Sequence, residues 1–140
     1  MELQLNAKIR GPDGVSTADL VYSLWPCWLR VMLPNEQVIE ATCDAPDLLH
    51  CLLEVRRQLE ERHIRLCVQG ALPNVWPSGM ARQMSGGLKA YRRVMGQPTR
   101  MDDLVNIIDP ADCDEVVTEA EQRAWLKRWF DDLKEKVESR

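Results

Sequence analysis

Near residue 44 the hydrophobic residues of this chain change their period, and that change restricts the fold more than any other feature. Before it, ELQLNAKIR places Leu3, Leu5, Ala7 and Ile9 on one side of an extended backbone, the alternation of a half-buried strand. GPDG then turns the chain with two glycines and a proline. ADLVYSLW supplies the return strand, and WLRVML continues after Pro26 with Trp28, Arg30 and Met32 opposite Leu29, Val31 and Leu33. PNEQ turns the chain into VIEATC. Residues 1–43 therefore read as a meander of about four antiparallel strands.

From Asp44 onward the spacing is helical. DAPDLLHCLLEVRRQLEERH sets Leu48, Leu52, Val55 and Leu59 at steps of four, three and four, with Arg56, Arg57, Glu60 and Glu61 on the other side. This predicts an amphipathic helix over residues 45–62, preceded by Asp44 or Ala45, with Pro46 near its first position, where a missing N–H costs nothing. IRLCVQG resumes strand character, and LKAYRRV and LVNIID are further strands in a strand and loop region spanning 64–110. Thr118 and Glu121 have capping-box spacing and open a helix over 119–138. Its apolar stripe, Trp125, Trp129, Leu133 and Val137 flanked by Leu126 and Phe130, is expected to cover one face of the sheet, because exposed tryptophans invite aggregation. The expected architecture is one α+β domain over residues 1–140: a mainly antiparallel sheet with a middle helix and a long C-terminal helix packed on one face.

Composition narrows the class. A chain of 140 residues, 45% hydrophobic and 29% charged, suffices for one globular core. The longest apolar run, VYSLWPCWLRVML, is interrupted by Pro26 and Arg30, short of the ~20 apolar residues of a membrane span. The start, MELQLNAKIR, alternates and carries Glu2 rather than the basic start and apolar middle of a secretory leader, so a cytoplasmic protein without membrane contact is expected. Cys27, Cys43, Cys51, Cys67 and Cys113 are odd in number and sit mostly within apolar runs, which predicts buried free thiols. With no CxxC and no zinc-like His/Cys spacing, neither a metal nor another cofactor is expected.

Residues 70–95, GALPNVWPSGMARQMSGGLKAYRRVM, hold the most reactive-looking composition. A phosphate-binding loop needs two glycines flanking four residues and then Lys-Ser/Thr, but Gly86 and Gly87 are adjacent and Lys89 follows Leu88. A nucleophile elbow needs G-x-S-x-G, whereas Ser78 lies between Pro77 and Gly79. His50 and His63 fall in the middle helix as surface or core-margin residues. Cys67 could meet His63 as a thiolate–imidazole pair, but its neighbours Leu66 and Val68 favour a buried structural thiol. No residue is assigned a catalytic role, and the protein is not expected to be an enzyme; a small hydrolase is the third reading. The stretch itself reads as a rigid connector, stiffened by Pro73 and Pro77, bent at Gly79, Gly86 and Gly87, with Met80 and Met84 covering core.

Charge is segregated. Between Ser78 and Arg100 every charged residue is basic (Arg82, Lys89, Arg92, Arg93, Arg100), and from Met101 to Gln122 every one is acidic (Asp102, Asp103, Asp109, Asp112, Asp114, Glu115, Glu119, Glu121). Glu119 and Glu121 suit the positive end of the last helix. The loop DPADCDE has no such reason to crowd carboxylates, and a basic protein partner would give it one. The alternative is a nucleotide- or nucleic-acid-binding module in which Arg82, Lys89, Arg92 and Arg93, interleaved with Trp76 and Tyr91, contact phosphates and stack bases. A net charge of −4 and a pI near 5.2 oppose it.

The segment IRLCVQGALPNVWPSGMARQMSGGLKAYRRVMGQPTRMDDLVNIID, through its P-S-G-M-A-R-Q-M, G-G-L-K-A-Y and D-L-V-N-I elements, resembles small bacterial immunity proteins of polymorphic toxin systems of the contact-dependent or Rhs type. The resemblance covers about the middle third of the chain and brings no catalytic residues with it. It implies a cytoplasmic protein that binds a cognate secreted toxin domain and neutralises it. The acidic residues Asp102, Asp103, Asp109, Asp112, Asp114 and Glu115 are the expected toxin-binding surface.

Overall fold

The computed structural model describes residues 2–42 and 47–138. Strands β1 (Leu3–Gly11) and β2 (Gly14–Leu24) form a hairpin about Pro12 and Asp13, and Gly14 adopts the positive φ of +113° that the turn requires. Strands β3 (Cys27–Met32) and β4 (Val38–Thr42) complete the expected meander. Pairing in register stacks Ala7 against Ala18, Leu20 against Val31, and Val31 against Ile39, so the alternation seen in the sequence becomes one continuous apolar face. A short strand β5 (Arg65–Leu66) adds to the free side of β1, giving the antiparallel order β4-β3-β2-β1-β5.

Helix α1 (Leu48–Glu60) packs on that face through Leu48, Leu49, Leu52, Val55 and Leu59. Asp47 caps it, in extended conformation, by accepting the His50 N–H at 2.9 Å. The helix therefore begins later than its sequence suggests; Asp44, Ala45 and Pro46, the expected start, lie outside the described residues, as does Cys43. It also ends earlier, and His63 sits exposed in the following turn at φ +58°. Arg56, expected on the water side, is instead buried at 2% exposure.

Beyond β5 the chain builds a second sheet, β6 (Val75–Trp76), β7 (Lys89–Arg92) and β8 (Leu104–Asn106), antiparallel in the order β6-β7-β8. Between β6 and β7 lies helix α2 (Gly79–Ser85), which the connector reading did not anticipate. The Ser78 hydroxyl caps it by accepting the Ala81 N–H at 3.1 Å, and Gly86 closes it in the left-handed conformation, φ +64°. At Gly87 a Cβ would stand 2.7 Å from the Leu49 nitrogen, so only glycine lets the segment approach the start of α1, where the Leu48 N–H donates to the Gly86 carbonyl.

Helix α3 (Glu119–Glu138) starts at the expected capping box: the Glu121 N–H donates to Thr118 Oγ1 and the Thr118 N–H to Glu121 Oε1. The Thr118 hydroxyl, donating to Glu121 Oε1 at 2.9 Å, and then the Thr118 N–H hold the Glu121 carboxyl below the usual carboxylate range. Its buried residues are Glu119, Gln122, Leu126 and Trp129. Trp125 is half-buried and Val137 exposed, so the stripe drawn from Trp125 to Val137 is rotated relative to the one that packs. Trp129 seats against the segment after β7, its Nε1–H donating to the Val94 carbonyl at 2.9 Å.

Two polar side chains lock α3 to α1 from inside. Gln122 donates its Nε2 hydrogens toward the carbonyls of Gly70, Leu72 and Val75 at 3.0, 2.8 and 3.0 Å and accepts from Arg56 Nη1 at 2.6 Å. Arg56 also donates to the Gly70 and Val117 carbonyls, each at 3.1 Å.

The cysteine expectation needs correction. Cys67 is not a free thiol but is joined to Cys113 in a disulfide with a Cα–Cα distance of 4.9 Å. Cys27 and Cys51 bring their sulfurs to 3.7 Å. A bond across 46 positions between two separate apolar runs leaves no spacing signal, which is why sequence did not reveal it. Because disulfides persist mainly in oxidising compartments, the Cys67–Cys113 bond gives no support to the expected cytoplasmic location. Among the described residues no helix is long and apolar enough to cross a membrane.

Candidate protein interface

The loop from Asp109 to Val117 connects β8 to α3, and its backbone is held on the layer beneath it. The Gln69 N–H donates to the Asp109 carbonyl at 2.8 Å, the Gln69 side chain to Pro110 at 2.9 Å, the Ala111 N–H to Cys67 at 3.0 Å, and the Val117 N–H to Ala71 at 3.0 Å. The Cys67–Cys113 bond and the buried side chain of Val116 anchor its middle. Within the loop, Asp112 Oδ1 accepts the Asp114 N–H at 2.9 Å, and its carbonyl accepts the Glu115 N–H at 3.0 Å. With the backbone and apolar groups turned inward, Asp109, Asp112, Asp114 and Glu115 are exposed.

Basic neighbours offset part of this charge. Arg10 of β1 pairs with Asp114, and Arg65 of β5 reaches the Val116 carbonyl at 3.4 Å and lies 3.9 Å from Glu121. Asp109 also acts on the buried Tyr22: burial first, and then the Asp109 charge, push the Tyr22 hydroxyl above its ordinary pKa. Asp102 and Asp103 stand elsewhere, in a 3-10 turn over Met101–Asp103 that precedes β8, with Asp102 3.9 Å from Arg100. The structure thus divides the six expected acids between two surfaces.

The four expected phosphate contacts separate as well. Arg82 makes a bidentate pair with Asp47, the cap of α1. Burial pushes the Asp47 carboxyl up, but hydrogen bonds from Arg82 and the His50 N–H, with the positive charge of Arg82, hold it below its ordinary value. Arg93 is buried, stacked 4.7 Å over the Trp129 ring and bonded to Thr99 Oγ1 at 2.6 Å and the Trp76 carbonyl at 3.1 Å. Arg92 donates to Gln69 Oε1 at 3.2 Å, and Lys89 is half-buried. Arg82 and Arg93 are engaged within the fold, and neither presents a clear guanidinium to a phosphate backbone.

The reactive-looking residues are similarly occupied. Cys67 is disulfide-bonded, and the Ser78 hydroxyl caps α2. Among the described residues no group of three or more His, Cys, Asp or Glu side chains could hold a metal ion.

A second surface was not foreseen. Leu24 and Trp25 at the end of β2, Met80 and Met84 of α2, Lys89 and Tyr91 of β7, and Met101 and Leu104 line an open groove of about 630 Å³. Met80 and Met84 were expected to cover core, yet both are exposed. Their spacing of four does place them on one face of a helix, but a helix of seven residues that lies on the surface can turn that face outward. Ser78 as cap and Gly86 as stop, bracketing GMARQMS, were the legible signal for this helix.

No protein-family model matches this chain, and no functionally curated protein matches it significantly.

Proposed function

We propose that this chain is a non-enzymatic, cytoplasmic immunity protein that binds a cognate secreted bacterial toxin domain and blocks its active or substrate-binding surface. The observation that carries this reading is the acidic loop: Asp109, Asp112, Asp114 and Glu115 project from a backbone already held by hydrogen bonds to Cys67, Gln69 and Ala71. A loop ordered before binding loses little entropy when a partner arrives. Clustered carboxylates attract a basic domain and speed its encounter. The choice of a toxin as that domain rests on the resemblance of residues 64–109 to immunity proteins. In a reducing cytoplasm the backbone hydrogen bonds, rather than the disulfide, would keep the loop in place.

The test is to produce any toxin domain found encoded beside this gene, with and without the protein, and to measure both cell survival and complex formation by calorimetry. Survival restored together with a stoichiometric complex supports the reading. Toxicity unrelieved by the protein, with no heat of binding, overturns it.

A further inference from the structure

The groove calls for an occupant. Trp25, Met80, Met84 and Met101 are 75%, 72%, 81% and 79% exposed, and Leu104 is 40% exposed. All five line the same groove, so they form one exposed apolar field of the kind that marks a contact surface.

Charge identifies the partner. Lys89 lines the groove, and Asp102 and Asp103 directly follow Met101 in the turn at its edge. Neither Lys89 nor Asp103 has an ion-pair partner among the described residues, and Asp102 touches Arg100 only at 3.9 Å. A purely acidic partner would answer Lys89 but be repelled by the two aspartates; a purely basic one would do the reverse. The complementary surface is apolar and carries both signs, which is what this patch itself offers. We propose that the groove is the interface of a two-fold dimer, in which Lys89 of each copy meets Asp102 or Asp103 of the other across interleaved methionines and Trp25. A two-fold interface requires such a self-complementary patch. Methionine suits it, because flexible thioether side chains adapt to one another when two identical surfaces meet. The presenting element is already held, with α2 capped by Ser78 and closed by Gly86. The loop of Asp109, Asp112, Asp114 and Glu115 does not line the groove, so the dimer leaves it open and its existence does not depend on the toxin reading.

The experiment is sedimentation equilibrium of the full chain from about 1 to about 200 µM, without any ligand. The expected weight-average mass rises from 16.1 kDa toward twice that value. Met84→Glu and Met101→Glu, on separate elements and both outward-facing, should keep the melting temperature and weaken dimerisation by more than about tenfold. Lys89→Glu should weaken it too, and adding Asp102→Lys and Asp103→Lys should restore it. A wild type that stays at 16.1 kDa throughout overturns the proposal, as does a dimer that persists in both methionine variants or a charge exchange that restores nothing. A monomeric wild type whose toxin binding is lost in Met84→Glu would assign the groove to the toxin instead, and the dimer would be wrong while the toxin reading stood.

Discussion

Replacing Gln122 by methionine should destabilise the protein more than any substitution on its surface. The side chain is 1% exposed, and methionine fills nearly the same space, so the change removes hydrogen bonds and leaves little cavity. The Leu72 and Val75 carbonyls lose their side-chain donor, the Gly70 carbonyl keeps only Arg56, and Arg56 loses its 2.6 Å acceptor. A buried polar group left unsatisfied costs about 1–3 kcal/mol, and charged groups lie at the upper end, so after local relaxation the loss should be about 3–5 kcal/mol. For a chain of this length that lowers the melting temperature by roughly 10–15 °C. Urea denaturation should show a lower midpoint with an unchanged slope, the sign that stability rather than compactness has changed. Arg56→Met combined with Gln122→Met should cost less than the sum of the two, by about 1–3 kcal/mol, because each single change strands the other partner. A loss under about 1 kcal/mol for Gln122→Met would refute the view that this pair fastens α3 to α1.

Trp129→Ala should cost about 3–5 kcal/mol in thermal melts, since it removes a buried ring, its bond to Val94 and the surface on which Arg93 stacks, whereas exposed Phe130→Ala should change stability by less than about 1 kcal/mol. Asp47 has a lowered folded pKa, so its contribution is present above its unfolded value near 4 and is lost as pH falls through the folded value. The stability gap between wild type and Asp47→Asn should therefore be constant at neutral pH and shrink below about pH 4; a gap that grows on acidification would reverse the sign of the argument. Reduction, or Cys113→Ser, opens a loop of 46 residues and should cost about 4 kcal/mol on chain-entropy grounds, while identical melts with and without reductant would show that the bond does not form in solution.

The meander and α1 were legible because each imposes a period on many residues at once, and the capping box at Thr118 marked the first turn of α3. Strand β6, with two residues, and helix α2, with seven, are too short to show a period of their own. Arg56 and Gln122 were hidden for another reason: polarity points to water, and only the loop carbonyls they bind make their burial affordable. The same limit applies to the surfaces. The charge run marked the acids, but only the chain path shows that Asp102 and Asp103 border a groove while Asp109 to Glu115 share a loop tied to Cys67. Met80 and Met84 were misplaced because helical spacing states that two residues share a face and not which way that face looks.

The role proposed for the acidic loop is to steer a basic partner, and stopped-flow association measures that directly. A basic toxin domain of the proposed class is mixed with wild type and with Asp114→Lys/Glu115→Lys at low and high salt. Asp114 gives up only an exposed pair with Arg10, worth about 0–1 kcal/mol, so the fold should survive, as the melting temperature will report. Wild-type association should be fast at low salt and slow markedly as salt screens the loop; the charge-reversed variant should associate more slowly by about tenfold or more, with a flattened or inverted salt dependence. A variant that associates at the wild-type rate with the wild-type salt dependence would contradict the assignment of this loop as the docking edge.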